Sequence, residues 1–222
     1  VLRTRGIFGV LVGSLPNEQK ELSLNWPALA AVAQSHSLQR PALSRALSDY
    51  AFNMQMAIGE LRRMGYRRVG YVFAPKLEER TEGLHLAAYL EDQFRVPGAQ
   101  RVPPFNWSEK SPEQLAHWLA GAKPEAVLSH DLDLVNVIRK LGYRVPRDIG
   151  VAALNLSPAT EQRTPRSDRL AGVDQQLERC GAVAVNLLIS HLHHHEMGPP
   201  AQPVIALTRG RWIPGDTLRR AK

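Results

Sequence analysis

Apolar positions along this chain fall into short solid blocks and longer periodic stretches that alternate. The solid blocks at 7–12, 69–73, 126–129 and 149–154 have the length and β-branched content of buried strands. The stretch 50–61 repeats apolar residues at helical spacing, with Tyr50, Met54, Ala57, Ile58 and Leu61 on one face; Asp49 is placed to cap it and Gly65 to stop it. Residues 26–34, 81–94, 132–141 and 177–195 are predicted as further helices. Pro27 sits at a first-turn position of the first of these. Ser111-Pro112-Glu113 reads as N-cap, N1 and N2 of another helix, and 204–212 as a final strand. Strand and helix thus alternate, the pattern of a mostly parallel sheet covered on both faces.

The run 141–157, LGYRVPRDIGVAALNLS, is the most specific string. Gly142 closes a helix, Pro146 forbids its continuation, and a buried strand follows. Its G-x-x-V-P-x-D-I-x-V pattern resembles the lactose-repressor family of bacterial transcription regulators. So do LRRMGYRRVGY near 61–71, the R-x-x-G pattern of Arg80 and Gly83, and the strand 125–131 ending in Asp131. The resemblance covers most of the chain, with three departures. The tail RWIPGDTLR replaces the family's usual ending, His130 stands where Asn is usual, and Asn155 where an aspartate is usual.

The resemblance implies an α/β, periplasmic-binding-protein-like fold of two lobes, each a mostly parallel sheet flanked by helices. The first lobe takes 1–48 with 174–201 and the second 49–173 with 202–222. It also implies a chain lacking the helix-turn-helix headpiece and the start of the first lobe. A small-molecule effector, sugar-like or nucleoside-like, is expected in a cleft between lobes at the carboxyl ends of strands. DNA would be met only through the absent headpiece, and a homodimer is expected. A transport-type sugar-binding protein of the same fold is the alternative.

Six residues are candidates for the ligand site. Arg80 offers a planar fork of donors to hydroxyls or a carboxylate, or else pairs with Glu78 or Glu79 at a helix start. Asp131 accepts hydrogen bonds from ligand hydroxyls or caps the helix that follows it, and His130 donates or accepts according to its tautomer. Asn155 offers both donor and acceptor, or is a plain turn residue. Trp107, after Pro104-Phe105-Asn106, resembles a family position where an aromatic face lies against the effector; packing on its own neighbours is the other reading. Asp49 is an N-cap or a residue of the cleft rim.

Charge and composition narrow the picture a little further. The net charge of +7 comes from scattered basic pairs (Arg62–Arg63, Arg67–Arg68, Arg219–Arg220) interleaved with carboxylates, without a recognition helix. One cysteine, Cys180, excludes an internal disulfide and reads as a core thiol; no apolar run reaches membrane-span length. A cytoplasmic address is expected. His191, His194 and His195 have i, i+3, i+4 spacing, but a charged-leaning last helical turn accounts for them, and no metal or cofactor is expected. No enzyme is expected either: nucleophile-elbow, P-loop, dinucleotide and H-E-x-x-H signatures are missing. A remote alternative is a phosphohydrolase using Asp131 and Asp133, although the Gly and Thr expected after them are replaced.

Overall fold

The computed structural model describes residues 3–16, 19–157 and 168–219. The chain divides into two compact units. The first comprises Val1–Asp49, Arg80–Glu82 and Gln176–Arg209, and the second Tyr50–Glu79, Gly83–Gln175 and Gly210–Lys222.

In the first unit, β1 (Gly9–Val12), β2 (Ala30–Ala33), β3 (Ser44–Ser48) and β9 (Ile205–Thr208) form an all-parallel sheet in the order β1-β2-β3-β9. The last helix, α6 (Leu177–His193), packs on this sheet through Cys180 and Ala184 against Val32 and Ala46. A Cβ on Gly9 would stand 3.1 Å from Leu192, so the first strand and this helix are in close contact.

Residues 26–34 are not the expected helix. A 3₁₀ turn at Trp26–Ala28 uses Pro27 as predicted, and then Ala30–Ala33 runs as a strand whose four residues are all buried. The physical reason is coverage: a four-residue apolar block with no polar side satisfies a strand hydrogen-bonded to neighbours on both edges, whereas a helix there would have nothing to show to water.

The second unit holds a six-stranded sheet in the order β10-β8-β7-β6-β4-β5. Its members are β4 (Val69–Phe73), β5 (Phe105–Asn106), β6 (Ala126–Ser129), β7 (Gly150–Leu156), β8 (Ala171–Asp174) and the antiparallel edge β10 (Arg211–Ile213). One face is covered by α1 (Tyr50–Arg63) and α3 (Leu84–Arg95), which contribute Met54, Ile58, Leu61 and Tyr89 to a common core. A second core gathers Leu115, Trp118, Leu134 and Ile138 from α4 (Pro112–Ala122) and α5 (Leu134–Lys140). Gly70 lets the Trp118 ring lie on β4: a Cβ there would meet Cη2 at 2.7 Å.

Local signals held where they were strongest. Ser111 caps α4 by accepting from the Gln114 amide at 3.3 Å, and Gly142 adopts φ +92° just past α5. Other boundaries move. The predicted 81–94 helix is α3, starting at Leu84, with an additional short helix, α2 (Pro75–Arg80), before it, and α5 begins at Leu134 rather than 132. The predicted strand 204–212 is two strands serving two different sheets. Because β9 pairs with β3, the lobe boundary expected between 201 and 202 falls after Arg209. Most of the expected loop 155–169 lies outside the described residues, as does Arg220, while Asn155 belongs to β7.

Candidate functional site

The carboxyl ends of β4 and β6 organise two polar constellations in the second unit. Ser129, the last residue of β6, donates its hydroxyl to the Val72 carbonyl at 2.9 Å and accepts from the Asp131 amide at 3.0 Å, so the chain leaving the strand is tied to its neighbour. That anchor aims Asp131 at two donors. Its Oδ2 accepts from Trp107 Nε1 at 3.0 Å and from Lys110 Nζ at 2.9 Å, while Oδ1 accepts from the Asp133 amide at 3.0 Å. Burial works to raise the Asp131 carboxyl, but hydrogen bonds from Lys110, the Asp133 amide and Trp107, with the Lys110 charge, outweigh it and hold the group below its ordinary value.

The second constellation is more enclosed. Glu78 on α2 and His85 on α3 are brought face to face by a break at which Glu82 and Gly83 both take left-handed conformations (φ 55° and 68°). Tyr71 on β4 donates its hydroxyl to Glu78 Oε1 in a short hydrogen bond, and the Leu86 amide donates to Oε2 at 3.1 Å. Tyr71 Oη lies 3.4 Å from His130 Nδ1, and His130 Nε2 lies 3.3 Å from His85 Nε2, the two rings meeting edge to face. His85 Nδ1 stands 4.0 Å from Glu78 Oε1 and has no hydrogen-bond partner among the described residues. Burial pulls His85 down to about 3, and burial with the neighbouring His85 lowers His130 as well, which favours the uncharged form of both rings. The Tyr71 hydroxyl is pushed far up by burial and by the Glu78 charge.

The sequence matches the family of periplasmic binding protein-like domains over residues 58–218. The chain belongs to that family. No curated protein matches the sequence significantly. Among solved structures, this periplasmic binding protein-like chain is similar to a putative LacI transcriptional regulator from Bacillus cereus subsp. cytotoxis, with 18% identity, a TM-score of 0.60, and 98% of this chain and 78% of that one covered. A LacI family transcriptional regulator from Enterococcus faecalis with bound ribose is 13% identical, with a TM-score of 0.65 over 96% of this chain and 78% of the other. A periplasmic binding protein/LacI transcriptional regulator from Alkaliphilus metalliredigens, complexed with D-xylulofuranose, is 15% identical, with a TM-score of 0.69 over 99% and 80%.

The candidate residues of this periplasmic binding protein-like chain separate into two sets. Trp107, His130, Asp131 and Asn155 belong to the second unit; Arg80, half-buried at the end of α2, and Asp49, just before α1, group with the first. Trp107 is brought to Asp131, but its ring is only 4% exposed and sits in the core with Phe105, so it supports the carboxylate rather than presenting an open stacking face. Asp131 does not cap α5 directly; it holds the turn before it, and Asp133 takes the N-cap position. Asp133 itself accepts from Asn136 Nδ2 at 2.7 Å, so both aspartates of the phosphohydrolase reading are engaged locally.

The sequence reading missed Lys110, Glu78 and His85. Glu78 offers itself in sequence only as a partner for Arg80, and His85 not at all, because the helix break between them leaves the pair on two different helices. Conversely, the spacing of His191, His194 and His195 is not realised as one helical face. His191 pairs with Glu196, and His195 turns left-handed beyond the end of α6. Cys180 is buried, as its apolar neighbours implied, and burial raises its thiol.

Proposed function

We propose that this chain is the effector-binding core of a LacI-type transcriptional regulator, sensing a small polar molecule of the sugar or nucleoside kind. The observation that carries the reading is likeness to such regulators along nearly the whole chain, 96% and 99% of it for the two neighbours that hold ribose and D-xylulofuranose. The chemistry of the second unit supports it. Ligands of open parallel α/β sheets bind outside the carboxyl ends of strands, which is where Asp131 and Lys110 present a charged acceptor and a charged donor to hydroxyl groups.

In this reading the effector favours one conformation of the protein over another, and a helix-turn-helix module carries that bias to DNA in the cytoplasm. The regulator works as a homodimer. Val185 and Ile189, one helical turn apart on α6, are 42% and 44% exposed while Cys180 and Ala184 face the sheet, which leaves an apolar stripe for a second copy. A thermal-shift screen of pentoses, hexoses and nucleosides, followed by calorimetry on any stabilising compound, tests the proposal. Saturable binding lost in Asp131→Asn supports it. Absence of binding across the panel by both methods would overturn it.

A further inference from the structure

Four groups of the second unit form a closed ring of polar contacts: Tyr71 with Glu78, Tyr71 with His130, His130 with His85, and His85 with Glu78. His85 Nδ1 faces the Glu78 carboxylate across 4.0 Å without a hydrogen-bond partner among the described residues, in a space where His85 and Tyr71 are fully buried and Glu78 is 6% exposed. Such a junction is costly unless something positive occupies it.

We propose that Glu78, His85 and His130 form a binding site for a divalent transition cation of the Zn²⁺ class. Among the described residues, this is the one group of three such side chains whose ligand atoms all lie within 4.8 Å of one another. Two nitrogens on one tetrahedral Zn²⁺ at about 2.0–2.1 Å each stand about 3.3–3.4 Å apart, and His85 Nε2 and His130 Nε2 already stand at 3.3 Å. The carboxylate supplies the negative charge and a third ligand by closing inward, and water completes the shell. The outer partners are also in place. The Tyr71 hydroxyl and the Leu86 amide hold the Glu78 oxygens, and Tyr71 Oη is positioned to accept from His130 Nδ1 once Nε2 binds metal. His130 is only half-buried, which leaves the ion a way in. The site stands on this geometry and does not depend on the regulator reading.

The test is titration of the chelator-stripped chain with Co²⁺ and Zn²⁺, followed by visible absorption and calorimetry. A tetrahedral cobalt spectrum at one equivalent is expected, displaced by Zn²⁺. His130→Asn and His85→Gln should each weaken that binding by about a hundredfold or more, since each removes a ligand. His194→Gln combined with His195→Gln should leave it unchanged, because those rings lie outside the site. Tyr71→Phe guards against loss of folding: it keeps all three ligands and should keep the cobalt spectrum. Absence of a cobalt band in the wild-type chain, or binding that survives both ligand substitutions and disappears in the 194/195 variant, would show that the ring holds only protons.

Discussion

The indole nitrogen of Trp107 donates to Asp131 Oδ2 at 3.0 Å, joining a core residue that follows β5 to a carboxylate that follows β6. A buried ring thereby fixes the direction of a charged side chain at the strand ends.

Trp107→Phe keeps most of the packing and deletes that hydrogen bond. It is expected to cost about 1.5–3 kcal/mol, towards the lower end because Lys110 and the Asp133 amide still hold the carboxylate. Trp107→Ala, which also opens a cavity, is expected to cost about 3–5 kcal/mol. Urea denaturation of the three proteins measures both, and equal losses for Phe and Ala would show that packing contributes little.

Effector affinity, once a ligand is found, should depend on Asp131 and Lys110. Removing either charged partner is expected to weaken binding by about ten- to a hundredfold, the effect of losing roughly 1.5–3 kcal/mol of charge-assisted hydrogen bonding. Cys180→Ala should bind as the wild type does, because the thiol is buried against the sheet of the other unit. Calorimetry on the three variants decides whether the site has been assigned to the right residues.

Gly70→Ala should destabilise by about 1–3 kcal/mol, since its Cβ would meet Trp118 Cη2 at 2.7 Å and Pro124 Cβ at 3.2 Å. A companion Trp118→Phe substitution should recover part of the loss by shortening the ring that clashes. Thermal melts of the single and double variants are the measurement.

Asp148 is held at about 2 by hydrogen bonds from the side chain and backbone of Arg144, with help from the charges of Arg144 and Arg147. A carboxyl lowered in the folded state stabilises above its unfolded value near 3.9, and that contribution disappears as pH falls towards about 2. NMR titration should find Asp148 near its depressed value, and Arg144→Ala should return it towards the ordinary range. A midpoint unchanged by that substitution would contradict the pairing.

Sedimentation at micromolar concentration should show a dimer, and Val185→Lys with Ile189→Lys should convert it to a monomer without altering helix content. Both side chains are solvent-facing in the single chain, so their replacement leaves its core intact. A wild-type monomer at that concentration would exclude the α6 stripe as a dimer contact.

The alternation of buried blocks and periodic stretches, with local capping signals, was enough to determine an α/β chain, the helix that begins at 50, the start of the helix at 112, and the strands at 69–73 and 126–129. These elements carry their own caps, stops and faces, so local chemistry decides them. The sequence likewise placed His130 and Asp131 at the end of a strand. Only the tertiary structure decided that 30–33 is a strand, because a run of Ala and Val is apolar on every side in either conformation and its neighbours choose between them. It also decided that Trp107 is spent on Asp131, and that Glu78, His85 and His130 share one enclosed space. Those groups are separated along the chain by 24, 7 and 45 residues respectively. Separations of 24 and 45 match no local period, and the helix break at Glu82 and Gly83 removes the one that seven would supply; that left-handed break and the parallel crossovers that lay β4 beside β6 bring the groups together.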